Sequence, residues 1–266
     1  MKHLSSGLLL KPLVVALLFS LPAVARDTVT FPSEGGVTVT VDVYMAHESR
    51  ETPFLVLCHQ ARWSRGEFLR IGPWLNELGY NCMAVDLRAG KTILGIPNET
   101  AQRARENGLN TDYSYAEPDI VAAVKYAREH YAKGKLILVG SSFSASLVLR
   151  IAGETSELVD GVAAFSPGEY FANEGKCADW TQQSAAKIKT CPVFIAWSER
   201  EHVKWHRIAR AIPCEDLTVF APTEGGQHGA RVLWEESEDS ELYRTAFKAF
   251  LSRHFPRPST DSGDGA

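Results

Sequence analysis

The sequence predicts an α/β protein: one mostly parallel central sheet with an antiparallel hairpin at its edge, helices on both faces and no large cap domain. Three observations carry this. Short apolar runs such as residues 54–58 and 136–139 contain no polar residue, as strands buried on both faces require. Segments with helical apolar spacing, such as 68–78 and 119–130, lie between those runs. Strand and helix then alternate to the end of the chain, the pattern of a parallel sheet with crossover helices. A length of 266 residues is enough for one large domain with a well-buried core.

Taken in order, residues 28–31 and 37–44 alternate polar and apolar side chains around Glu34-Gly35-Gly36, which predicts the edge hairpin. Residues 54–58 form a buried strand ending at His59-Gln60. An amphipathic helix over 68–78 is closed by Gly79, and the next strand, 81–87, ends in Asp86-Leu87-Arg88. Residues 89–117 read as a long polar connection with Pro97 and several asparagines. A helix over 119–130 follows Pro118, and the strand 136–139 runs into a helix that ends near Gly153. Residues 159–165 are a strand ending in Ser166-Pro167-Gly168, and 169–190 hold a loop and a short helix. Strand 193–197, helix 202–212, strand 217–221 and a closing helix over 237–254 complete the domain, with no internal repeat.

The ends read differently. Residues 1–25 have the pattern of a secretory signal: Lys2, a mostly apolar stretch to Leu21, and Ala23-Val24-Ala25 as the cleavage site. The apolar run after Lys11-Pro12 is too short to span a bilayer, so no stable membrane anchor is expected. The expected location is secreted or periplasmic, with a domain over 26–256 and a disordered Pro/Ser/Gly/Asp-rich tail over 257–266. The net charge is −4, and there is no basic run, which argues against a nucleic-acid partner. Five cysteines is an odd number, so at least one is unpaired within the chain. Cys191 and Cys214 are the expected pair if one bridge forms, while Cys58 and Cys82 sit in strands as small hydrophobes. No C-x-x-C is present, and neither a metal nor a cofactor is expected.

The segment Leu136 to Ser146 carries the chemistry. A buried strand, a sharp turn and a helix follow one another, with Gly140-x-Ser142-x-Ser144 at the turn. That context makes a serine a nucleophile elbow, in which a strained backbone lifts the hydroxyl above the sheet edge. The register names Ser142, because Ser141 and Ser144 lack a glycine two positions earlier. The pattern ordinarily ends in glycine; here a hydroxymethyl group at Ser144 has to be fitted. A serine also needs a base to take its proton. Gly225-Gly226-Gln227-His228-Gly229, directly after the last strand, offers a histidine on a loop able to fold back over the sheet. His202 and His206 have metal-ligand spacing but lack the glutamate of H-E-x-x-H, and read as a solvated helix face.

With elbow and histidine loop in this order, the chain resembles the α/β-hydrolases from about Val29 to His254. It is most similar to small lidless serine esterases and dienelactone-hydrolase-like proteins. The dienelactone hydrolases use a cysteine nucleophile where this chain has Ser142, so their substrate does not carry over. The resemblance implies an acid after the strand 193–197, where the chain reads Ser198-Glu199-Arg200-Glu201-His202. Glu201 is the choice, with Glu199 and Glu169 as alternatives. It also implies two oxyanion N–H donors: Phe143, after the nucleophile, and Gln60, with Ala61 behind it, on the loop after strand 54–58. His59 is expected to support that loop. Trp63, Phe68 and Trp197 are candidate pocket residues or ordinary core. Arg88 and the sequon Asn98-Glu99-Thr100 lie at the expected entrance.

The implied function is a serine hydrolase that cleaves a small carboxylic ester through an acyl-enzyme on Ser142. A peptidase or amidase, an acyltransferase with the same residues, and a non-catalytic binding protein of this fold are the alternatives. Small-molecule esters are the expected partners.

Overall fold

The structure is a computed structural model that describes residues 26–257. The predicted signal segment and all but the first residue of the predicted tail lie outside the described residues. Strands β1 (Arg26–Pro32) and β2 (Thr38–Tyr44) form the antiparallel hairpin. There follow β3 (Phe54–Cys58), α1 (Ile71–Glu77), β4 (Asn81–Val85), α2 (Glu99–Glu106), α3 (Glu117–His130) and β5 (Leu136–Ser141). Then come α4 (Phe143–Glu154), β6 (Gly161–Phe165), α5 (Trp180–Ala185), β7 (Val193–Ala196), α6 (Glu199–Ala211), β8 (Leu217–Phe220) and α7 (Ser240–His254). The sheet order is β1-β2-β4-β3-β5-β6-β7-β8. β2 runs antiparallel to β4, and from β4 through β8 every pairing is parallel.

Strand alternation sorts the core into two layers. Phe54, Val56 and Cys58 of β3 face one side and pack with Ala123, Val124 and Ala127 of α3 and with Leu147, Val148 and Ile151 of α4. Leu55 and Leu57 face the other side, with Ile71 and Leu75 of α1 and Tyr243, Phe247 and Phe250 of α7. Both faces of the middle strands are therefore dry, which is why their sequences run apolar without alternation. Connections go from β3 outward to β4 and then return past β3 to β5. The strand order reverses between β3 and β5, and α/β sheets of this kind bind ligands outside the carboxyl ends of the strands at such a point.

Several elements differ from the sequence expectation. The polar connection 89–117 contains α2, capped by Asn98, whose side-chain oxygen accepts the Ala101 N–H at 2.7 Å. This helix buries only Thr100, Ala101 and Ala104, so it leaves no apolar stripe to read. The helix expected over 68–78 begins as a 3-10 turn over Arg65–Phe68 and becomes α1 only at Ile71. α6 starts at Glu199, because Ser198 caps it in a reciprocal capping box with Glu201. All five cysteines are free thiols. Cys191 and Cys214 do meet, but the Cys214 thiol donates to the Cys191 carbonyl at 3.0 Å rather than bridging it.

Candidate active site

Ser142 stands between β5 and α4 with φ 61° and ψ −121°. Such a conformation costs a non-glycine residue about 1–3 kcal/mol and persists only where its surroundings hold it. The Ser142 N–H is held by the Phe165 carbonyl at 2.8 Å. A Cβ on Gly140 would meet the Ser144 carbonyl oxygen at 2.5 Å and the Ala145 nitrogen at 2.6 Å, so only glycine fits. Ser144 fits where glycine is usual because its hydroxyl has partners. Its Oγ accepts the Ser141 N–H at 2.8 Å and reaches the Cys58 carbonyl at 2.8 Å.

The loop after β8 brings His228 onto this serine. His228 Nε2 lies 2.7 Å from Ser142 Oγ, and Nδ1 is hydrogen-bonded to Glu201 Oε1. With Ser142 donating to Nε2, the ring proton sits on Nδ1 and points at the carboxylate. Glu201 Oε2 accepts the Ser166 hydroxyl at 2.8 Å and the Ser198 N–H at 3.0 Å. Burial raises the Glu201 carboxyl, but hydrogen bonds from His228, Ser198 and Ser166 outweigh it and hold the group below its ordinary value. The other candidate acids are elsewhere. Glu199 is exposed on α6, and Glu169 caps α5 by accepting the Thr181 and Gln182 N–H groups at 2.8 and 2.9 Å.

The two N–H groups expected to meet an oxyanion differ in their surroundings. Phe143 is the first residue of α4, and its N–H is one of those a helix leaves without an internal acceptor. Gln60 is a correction: its N–H donates to Glu67 Oε2 at 2.7 Å and is not free. The next N–H along is that of Ala61, which no hydrogen bond engages among the described residues. His59 braces the loop. Its Nε2 accepts the Leu87 N–H at 2.9 Å, with the Asn98 amide nitrogen 3.0 Å away, while Nδ1 donates to the Gln60 carbonyl at 2.7 Å. Complete burial depresses this histidine to about 4, so it stays neutral in that tautomer.

Most of the expected entrance residues are structural. Phe68 and Trp197 are fully buried, and the Trp197 indole donates to the Pro167 carbonyl at 2.7 Å. Trp63 is half-buried and stacks on Trp234 with ring centroids 5.4 Å apart. Arg88 is locked on Asp119 by contacts of 2.6 and 2.9 Å. Asn98 is 3 % exposed and donates to the Trp63 and Leu87 carbonyls, so the folded chain offers this sequon no free amide. His202 and His206 lie with ring centroids 6.1 Å apart, and no group of three metal-capable side chains exists among the described residues.

Three residues at the site had no recognisable signal. Ser166, at φ 57°, donates to Glu201 and accepts the Gly229 N–H at 2.8 Å, joining the acid to the histidine loop. The Tyr170 hydroxyl donates to the Ser166 carbonyl at 2.7 Å, and its ring meets His228 edge-on at 6.4 Å. Glu67 is the third. The Ser166-Pro167-Gly168 strand end marks a turn in sequence, but the partners of these side chains come from distant segments.

A mostly parallel eight-stranded sheet, with a serine elbow after β5 and a histidine loop after β8, is the α/β-hydrolase fold. Solved structures of this fold superpose well. An esterase from Pyrococcus furiosus matches with a TM-score of 0.66 at 18% identity, over 86% of this chain and 93% of its own. A dienelactone hydrolase from Anabaena variabilis matches with a TM-score of 0.64 at 14% identity, over 86% and 98%. An esterase from Pyrobaculum calidifontis matches with a TM-score of 0.62 at 15% identity, over 87% and 84%. No protein-family model matches the chain, and no curated protein matches it by sequence.

Proposed function

We propose that the protein is a serine hydrolase that cleaves small carboxylic esters. The observation that carries this reading is the unbroken hydrogen-bond chain from Ser142 through His228 to Glu201. Ser142 Oγ attacks the acyl carbon while His228 Nε2 takes its proton. Glu201 holds the ring in the required tautomer and stabilises the imidazolium. Negative charge on the former carbonyl oxygen is met by the N–H groups of Phe143 and Ala61. The C–O bond to the alcohol then breaks, and His228 returns its proton to the departing oxygen. Water repeats the two steps on the acyl-enzyme and releases the acid. Among the described residues no large cap covers the sheet edge, which favours short acyl chains over long ones. The solved esterases of the same fold support a hydrolytic reading.

Fluorophosphonate labelling and a panel of para-nitrophenyl esters of increasing acyl length test it. Wild type should label at one site and turn over acetate and butyrate esters fastest, while Ser142→Ala should do neither and keep its fold by circular dichroism. Labelling that persists in Ser142→Ala would remove the serine from the mechanism.

A further inference from the structure

Glu67 lies in the 3-10 turn after the β3 loop and is fully buried. The proposed reaction gives it no step, yet its surroundings are specific. Oε2 accepts the Gln60 N–H at 2.7 Å, and Oε1 accepts the Ser141 hydroxyl at 2.7 Å. Ser141 Oγ in turn accepts the Ala230 N–H at 2.8 Å. One carboxylate therefore joins the loop after β3, the residue before the nucleophile, and the loop that carries His228. Its own backbone carbonyl adds a fourth tie, accepting the Trp234 indole N–H at 2.8 Å.

Both direct partners of the carboxylate are neutral donors. Burying a charge among neutral groups is costly, and burial pushes Glu67 up to about 7 against the hydrogen bonds from Ser141 and Gln60. Packing alone would be served by an apolar side chain of the same size. Only an ionised carboxylate accepts from two donors at once without offering a hydrogen of its own. The residue therefore contributes two acceptor oxygens in a fixed geometry, and does so in its ionised form.

Resting on the hydrolase reading, we infer that Glu67 is a positioning residue for the oxyanion hole. By holding the Gln60 N–H it turns that peptide away from the reacting centre and leaves the Ala61 N–H to meet the oxyanion. By holding Ser141 it locks this loop in register with the nucleophile and with the segment after His228. Glu67→Gln keeps the size but sets an amide N–H against one of the two donors, so the clamp cannot close on both.

The test compares Glu67→Gln with wild type in the full chain, using para-nitrophenyl acetate and an aryl trifluoromethyl ketone. Ser142 Oγ adds to the ketone carbon, its proton passes to His228, and the resulting oxyanion occupies the hole, so the inhibition constant reports that site directly. The expected result is a fall in kcat of about 10- to 100-fold, an inhibition constant raised in the same proportion, and a KM within about threefold. A kcat and inhibition constant both within about threefold of wild type would overturn the inference, and so would a fall in kcat with unchanged ketone binding. Ser141→Ala releases only one oxygen of the clamp and serves if Glu67→Gln does not fold. It should weaken ketone binding about three- to tenfold, and unchanged binding there also overturns the inference. A wild-type protein inert to both ester and fluorophosphonate would bring down the hydrolase reading and this inference with it. An active wild type matched by Glu67→Gln would bring down the inference alone.

Discussion

Two polar clusters lie mostly on segments that follow the strands of the sheet, and they meet their buried charge in opposite ways. In one, the Arg65 guanidinium is shared among Asp42 at 2.9 Å, Asp86 at 2.6 Å and Glu99 at 3.0 Å. Asp86 also accepts the Arg65 N–H at 2.8 Å and the Glu99 N–H at 2.9 Å, pinning the turn before α1 and the start of α2. In the other, Glu67 and Glu201 accept hydrogen bonds from N–H and O–H groups and from His228, with no arginine or lysine on either carboxylate. The first cluster matches charge with charge and fixes the scaffold. The second leaves its carboxylates held by dipoles and one imidazole, with Arg231 acting on Glu67 only through space, so they orient other groups. Burial pushes Asp86 up to about 6 in spite of Arg65, which marks the desolvation cost that the paired cluster carries.

Breaking the first cluster should affect folding more than chemistry. Asp86→Ala takes one of three carboxylates from Arg65 and leaves the Arg65 and Glu99 N–H groups without their acceptor, and should lower stability by about 3–5 kcal/mol, with near-normal kcat in whatever fraction remains folded. Urea unfolding together with active-site titration checks this. A loss below about 1 kcal/mol would mean that the two clusters do not differ as described.

Breaking the second cluster should do the reverse. Glu201→Gln should reduce turnover by a hundredfold or more, about 2.7 kcal/mol of barrier, with stability little changed. Glu199→Gln and Glu169→Gln should stay within about tenfold of wild type. Steady-state kinetics of the three variants decide the assignment: a severe Glu199→Gln beside an active Glu201→Gln would move the acid by two positions.

A smaller effect follows from the position of Glu67 on the pH scale. Its folded value of about 7 lies above the ordinary 4.5 expected in the unfolded chain. The folded state therefore holds this proton more tightly, and the contribution to stability is present below about pH 4.5 and lost as pH rises through 7. Wild type should lose on the order of 1–3 kcal/mol between these limits from this group. In Glu67→Gln that part of the decline should vanish. Urea midpoints at pH 5 and pH 8 in both proteins give the comparison, and equal slopes would show that the carboxylate is not where burial puts it.

What the sequence determined by itself is the part governed by local rules. Uninterrupted apolar runs follow from burial on both faces of a strand, so the central sheet was legible from 54–58, 136–139 and 193–197. Gly140 and Ser142 were legible because a strand-to-helix turn admits few residue types, and His228 because glycines flank it directly after the last strand. The tertiary structure alone decided what depends on partners far apart along the chain. Glu67 gains its place from Gln60, seven residues away, and from Ser141, seventy-four away. Asn98 reads as an exposed sequon until His59 and the carbonyls of Trp63 and Leu87 close around it. The same holds for the loop after β3: which of two consecutive N–H groups stays free is set by a carboxylate that no spacing rule connects to it. Apolar burial is a property of each residue and leaves a periodic trace, whereas a hydrogen bond between distant segments leaves none until the chain has folded.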